Sequence, residues 1–202
     1  MTKIISITNQ KGGVGKTTTT INLATSLAAI DKRVLIIDSD PQSNASTGIG
    51  LGHNSRTPSL YELLSSGSFE KGCIKKTIIP GLDIIASTTD LAASEIELAN
   101  VSDREYVLQS IIKKIENYEF IIIDCPPALG LLTINAIVAS TSVIIPLQCE
   151  FFALEGLSSL IKTIDFIKNN YNKNIFIEGV ILTMVDKRNS LSHLVEKDVR
   201  DH

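Results

Sequence analysis

The sequence predicts an α/β fold: a doubly wound, mostly parallel sheet flanked by helices, in a single domain spanning residues 1–202. Three observations predict it. Short β-rich runs alternate with amphipathic helical runs along the chain. Several of the β-rich runs are continuously apolar, as parallel strands buried on both faces are. A glycine-rich turn follows the first of them and leads straight into a helical run. A chain of 202 residues has room for one sizeable core and little room for two.

The strand-like runs cover residues 3–8, 33–38, 82–86, 120–124, 141–146 and 175–183. A helical run at 19–29 follows the first. The Ser- and Gly-rich stretch 43–72 is the loosest part of the chain, with a short helix at 60–64. Residues 104–117 place Val107, Leu108, Ile111, Ile112 and Ile115 on one helical face, and Ser102 with Glu105 reads as a capping box before it. Residues 154–170 carry a second apolar stripe through Leu154, Leu157, Leu160, Ile161, Ile164 and Ile167. A last helix over 191–200 would turn Leu191, Leu194, Val195 and Val199 inward.

Composition excludes several classes. Hydrophobic residues at 44% and charged residues at 20% exclude wholesale disorder. A formal net charge of −3 gives no overall attraction to nucleic acid, so any such binding needs a local basic patch. The three cysteines, Cys73, Cys125 and Cys149, form no CxxC pair, which argues against a disulfide framework or zinc site and fits a reducing cytoplasm. The N-terminus has no signal-peptide pattern, and no apolar run nears the roughly 20 residues that span a bilayer. His53, His193 and His202 stand in no acid or nucleophile arrangement and read as surface residues.

The chemistry begins at Asn9-Gln10-Lys11-Gly12-Gly13-Val14-Gly15-Lys16-Thr17-Thr18. The strict phosphate-loop pattern wants a glycine at position 10, where this chain has Gln10. The physics survives the mismatch. Glycines let the backbone come close to a ligand, and successive N–H groups of Gly12, Gly13, Val14 and Gly15 can converge at the positive end of the following helix. Lys16 supplies a cation for the β- and γ-phosphates of a nucleotide, and Thr17 a hydroxyl for Mg²⁺. Two apolar strands end in acids. Asp38 and Asp40 follow one, and ligands gather at such strand ends in open α/β sheets. Asp124 closes the other, before Cys125-Pro126-Pro127, where it can hold a Mg²⁺-bound water, or the metal, opposite Thr17. Taken alone, Asp124 reads more often as a strand-end acid or helix N-cap than as a catalytic group; beside the phosphate loop it reads as catalytic. Cys125 reads as a small buried residue.

The string Lys11-Gly12-Gly13-x-Gly15-Lys16-Thr17 resembles the deviant Walker A motif of the ParA/MinD group. Further segments look like ParA/Soj chromosome-partitioning ATPases: 41–46, 124–131, 146–150, 153–157 and 182–186, in order along essentially the whole chain. The resemblance implies ATP and Mg²⁺ as cofactors. It implies that Lys11 reaches the partner's phosphates in a homodimer formed on ATP, and that Gly13 leaves room for that approach. It implies that Asp40 orients the attacking water, with Asp38 a supporting group near the metal. It also implies non-specific DNA binding, to which Lys187 and Arg188 would contribute, stimulation by a ParB-type partner, and a cytoplasmic, nucleoid-associated protein. Family members usually continue past the point where this chain ends, with a further strand, an adenine-side loop and a closing helix; weaker nucleotide affinity or lower stability is the corresponding expectation. Three other readings stay open. A MinD-type membrane-associated regulator would need a basic terminal helix, and Glu196, Asp198 and Asp201 argue against one, so no membrane partner is expected. An ATP-using ligase on the same fold and a non-hydrolysing remnant that only binds partners are the others.

Overall fold

The second strand shows why its sequence is continuously apolar. In the computed structural model, which describes residues 2–150, 153–186, 188 and 190–201, Leu35 and Ile37 pack on one side of the sheet and Val34 and Ile36 on the other, all four wholly buried. The same alternation carries Ile121 and Ile123 to one face and Ile122 to the opposite one.

The described elements run β1 (Lys3–Ile7), α1 (Lys16–Ala28), β2 (Val34–Asp38), α2 (Asn44–Gly48), α3 (Leu60–Ser66), β3 (Ile74–Lys76), β4 (Leu82–Ile85), α4 (Ser94–Glu97), α5 (Val107–Ile112), β5 (Phe120–Asp124), α6 (Leu131–Ala139), β6 (Ser142–Gln148), α7 (Ala153–Asn170), β7 (Phe176–Thr183) and α8 (Ser190–Asp201). The sheet order is β3-β4-β2-β5-β1-β6-β7. Every pairing is parallel except β3 with β4. Helices cover both faces: α1 and α2 pack on one, α3, α5 and α6 on the other, and α7 with α8 closes the β6–β7 end. The predicted doubly wound, mostly parallel architecture is the observed one.

Several details differ from expectation. The helix expected over 104–117 is a 3₁₀ turn at Arg104–Tyr106 followed by α5, and Asn117 ends the segment at φ 72°. Its expected capping box does not form. Asp103 precedes the turn in a left-handed conformation without a side-chain cap, and Glu105 pairs with Arg104. A capping box stands instead at α3, where the Ser59 hydroxyl accepts from the first turn of the helix and the Glu62 carboxylate accepts from the Ser59 N–H. The stretch 43–72 is more ordered than its composition suggests, since it holds α2, α3 and the buried Arg56. In α8 the inward residues are Ser192 and Val195, with Val199 half-buried, while Leu194 is 59% exposed. The side chain of Leu191 lies outside the described residues. All three cysteines are buried and unpaired, and His53 and His193 are exposed; His202 lies outside the described residues.

Candidate functional site

The turn after β1 is anchored by its flanks. Asn9 donates through Nδ2 to the Pro146 carbonyl at 2.7 Å and accepts from the Lys11 N–H at 3.0 Å. Gln10, which stands where the strict motif has glycine, donates to the Gly156 carbonyl at 3.0 Å. Thr183, at the end of β7, donates to the Val14 carbonyl at 2.9 Å. Gly13 and Gly15 adopt φ values of 77° and 90°, a region closed to most side chains. Gly15 is also the N-cap of α1, and neither a capping side chain nor an acid satisfies the first turn of that helix. Its N–H groups and positive dipole end are therefore directed at the turn, as an anion requires. Thr17 is half-buried and Thr18 exposed beside them.

Lys16 is 7% exposed and donates to the Lys11 carbonyl at 2.8 Å. Burial lowers its pKa, against the raising effects of Asp124, Cys125 and Asp40. Lys11 is exposed and forms an ion pair with Glu150 of the same chain.

The sheet register brings the acids to this turn. Asp124 is the cross-strand partner of Ile7 on one side and of Asp38 on the other, so β1, β2 and β5 end at one level. Thr17 donates to Oδ2 of Asp124 at 2.7 Å and Thr20 donates to Oδ1 at 2.9 Å. Burial, then the nearby Asp38 charge, pushes the Asp124 pKa up to about 7, against those two hydrogen bonds. Asp38 is wholly buried. Its Oδ2 accepts from the Ser46 N–H at 2.8 Å and the Ser46 hydroxyl at 2.7 Å, and its Oδ1 accepts from the Asp40 N–H at 3.3 Å. Burial raises its pKa to about 6. Asp40 is 6% exposed and accepts from the Gln42 N–H at 2.9 Å.

Arg188 lies in an exposed turn and is forked onto Asp186, with both contacts at 3.0 Å. The expectation for Lys187 falls outside the described residues. Reading the sequence missed Thr20, Ser46 and Glu150 as members of this constellation. Thr20 had a signal, since it lies three residues past Thr17 on the same helical face. Ser46 had none, because only the tertiary fold returns it to Asp38.

The residues present suit a magnesium nucleotide. A threonine hydroxyl beside a carboxylate offers hard oxygen ligands, and Mg²⁺ takes one or two such protein groups with phosphates and waters completing its shell. Among the described residues no cluster of three or more His, Cys, Asp or Glu is placed to hold a metal. A turn ending in Lys16 and Thr17 at a helix terminus, beside a strand-end acid, defines a P-loop nucleoside triphosphatase, and Lys11 places it in the deviant Walker A class.

A family model described as an AAA domain matches residues 2–177. The chromosome partitioning protein ParA of Caulobacter vibrioides is 50% identical over 203 residues, covering 99% of this chain and 76% of that protein. The sporulation initiation inhibitor protein Soj of Bacillus subtilis is 49% identical over 203 residues, covering 100% of this chain and 80% of that protein. Among solved structures, cobyrinic acid a,c-diamide synthase from Mycobacterium smegmatis with bound ADP and magnesium superposes with a TM-score of 0.94 at 34% identity, covering 100% of this chain and 82% of that one. The chain belongs to the ParA/Soj family of partitioning ATPases.

Proposed function

We propose that this protein is a DNA-segregation ATPase that dimerises on ATP, binds DNA without sequence preference, and hydrolyses ATP when stimulated by a ParB-type partner. The observation that carries the reading is the convergence of Lys16, Thr17, Asp124 and Asp38 at the ends of three adjacent strands, around an uncapped helix terminus. Nucleotide phosphates take the N–H groups of Gly12 to Thr18, and Lys16 exchanges the Lys11 carbonyl for phosphate oxygens. Thr17 and Asp124 hold Mg²⁺, which supplies charge neutralisation at the phosphates when bound. Asp40 orients the attacking water, its carboxylate aligned by the Gln42 N–H and its backbone by Asp38. Lys11 leaves Glu150 to meet the phosphates held by a second subunit.

Two further observations support the dimer. Lys11 and Gly12 are exposed at the outer face of the turn. A Cβ placed on Gly12 would meet nothing within 4 Å in this chain, and its φ lies outside the positive range, so the fold of one subunit alone makes no demand for glycine there. An ATP-dependent amide synthase is the second reading, favoured by the cobyrinic acid synthase superposition. The partitioning reading is preferred because ParA and Soj relatives match at 50% and 49% identity against 34%. Among the described residues no helix is long and apolar enough to cross a membrane.

Phosphate release by the wild-type chain and by Lys16→Ala, each with and without DNA plus a ParB-type partner, tests the proposal. Wild-type release should rise on adding both and vanish in the variant. Equal rates from the two proteins would refute it.

A further inference from the structure

Arg56 is 2% exposed, yet among the described residues no carboxylate stands with its hydrogen-bond partners. Nε and Nη2 donate to the Leu51 carbonyl at 3.2 and 3.0 Å, Nη1 donates to the Ser43 hydroxyl at 2.8 Å, and Nη2 to the Thr47 hydroxyl at 2.8 Å. Four of the five N–H groups a guanidinium carries are thereby used. A buried cation facing only neutral acceptors is expensive to keep. Such a group persists where it fixes something that packing alone does not.

What it fixes is the segment leaving the acid pair. Ser43 sits at φ 52°, a left-handed conformation that serine seldom takes. Its N–H donates to the Asp40 carbonyl at 2.8 Å, and the Thr47 hydroxyl donates to the Ser43 carbonyl at 3.1 Å. Arg56 thus grips both ends of α2 from its outer side. On the inner side Ser46 gives its N–H and its hydroxyl to Asp38, and the same hydroxyl accepts from the Ser87 N–H at 3.0 Å. Asp38 in turn accepts the Asp40 N–H. The path from the guanidinium to the reacting centre runs through five residues and no solvent-exposed charge.

We infer that Arg56 is the positioning residue for Asp38 and Asp40: by clamping Ser43 and Thr47 it sets the placement of Ser46, and through Ser46 the geometry of the acids at the phosphate end of the site. The inference rests on the ATPase reading above. Arg56 touches neither the phosphate loop nor α1 through any of these bonds, so its removal should separate turnover from nucleotide binding. Lysine cannot substitute, because a point cation cannot fork across three acceptors.

The test compares wild type with Arg56→Lys, Arg56→Met and the milder Thr47→Val, which removes one acceptor of the guanidinium together with the Thr47–Ser43 bond. Three quantities are measured: kcat and KM for ATP, affinity for mant-ADP without magnesium, and amide hydrogen exchange at Ser46 and Thr47. Both arginine variants should lose at least about tenfold in kcat. Their KM and magnesium-free mant-ADP affinity should stay within about twofold of wild type. Exchange at Ser46 and Thr47 should accelerate by at least about tenfold while residues 16–20 keep their protection. Thr47→Val should move the same way by about threefold, and it decides the matter if the arginine variants do not fold. Unchanged kcat, or kcat and mant-ADP affinity falling together, would overturn the inference. A wild-type chain that releases no phosphate would instead count against the proposed function, and exchange at Ser46 would then decide the role of Arg56.

Discussion

Thr20 donates its hydroxyl to Oδ1 of Asp124 at 2.9 Å, and both residues are completely buried. The bond ties the first helix to the strand that carries the acid, behind the phosphate loop. Thr17 occupies the other carboxylate oxygen from the loop side. Replacing Thr20 with valine keeps the shape and deletes the donor. A hydrogen bond to a charged group contributes about 1.5–3 kcal/mol, so Thr20→Val should lose that much stability in urea unfolding above about pH 8, where Asp124 is ionised. A loss near zero would mean that the bond is not made.

How much of this was legible in the sequence depends on where the information lay. The phosphate loop and the strands ending at Asp38 and Asp124 were readable because local order (strand, glycines, Lys-Thr, helix) and continuous apolar runs carry them. Helix α6 gives no periodic signal, since Leu131–Ala139 is apolar on nearly every side and shows no 3.6-residue stripe. Antiparallel β3 has only three residues at a sheet edge. Spacing alone cannot separate Ser102 and Glu105 from Ser59 and Glu62, and only the second pair forms a capping box. Arg56 carries no local signal of burial, since only the tertiary fold encloses it.

Arg188 is the one described residue of the expected DNA contact, and it is engaged by Asp186 on both carboxylate oxygens. Phosphate binding must break or share that fork. Arg188→Ala should weaken retention of DNA by the ATP-bound protein uniformly across sequences, and should reduce the slope of log affinity against log salt by about one per subunit. An unchanged slope in a salt titration would remove Arg188 from the interface.

The ion pair between Lys11 and Glu150 holds within one subunit the lysine proposed to serve the other. Its side chains are 45% and 30% exposed, so solvent screening limits the pair to about 1 kcal/mol or less. Glu150→Gln releases that restraint and should tighten ATP-γ-S-dependent dimerisation by up to about fivefold per subunit in sedimentation velocity. Lys11→Ala should weaken it instead. Weaker self-association in Glu150→Gln would mean that the glutamate supports the dimer.

Asp124 and Asp38 set the acid–base behaviour of the nucleotide-free protein. Burial is the leading cause of both elevated values, about 7 and about 6, against ordinary carboxylates at 3.8. Below the ordinary value both folded and unfolded chains are protonated at these groups, and the stabilisation is fully present. Between that value and the elevated ones, the folded protein keeps protons that the unfolded chain has released. Stability therefore falls as pH rises through this window and levels off above about 7. The carboxylates with lowered values, Glu62, Glu119, Glu178 and Asp186, act in the opposite sense, but they start from 4.5 or 3.8 and have largely finished titrating by about pH 5.5, so they offset the fall only in the lowest part of the window. Thermal unfolding without nucleotide should therefore occur at a higher temperature near pH 5.5 than near pH 7.5, by about a few degrees. Asp124→Asn should flatten that slope, because the amide cannot ionise. Mg²⁺ with ADP should reverse it in the wild type, since metal binding needs the carboxylate deprotonated and gains strength as pH rises. Differential scanning fluorimetry across the window decides the point: a wild-type slope of the opposite sign would show that these two acids are already ionised in the folded protein, and the same slope in Asp124→Asn would show that Asp124 does not carry it.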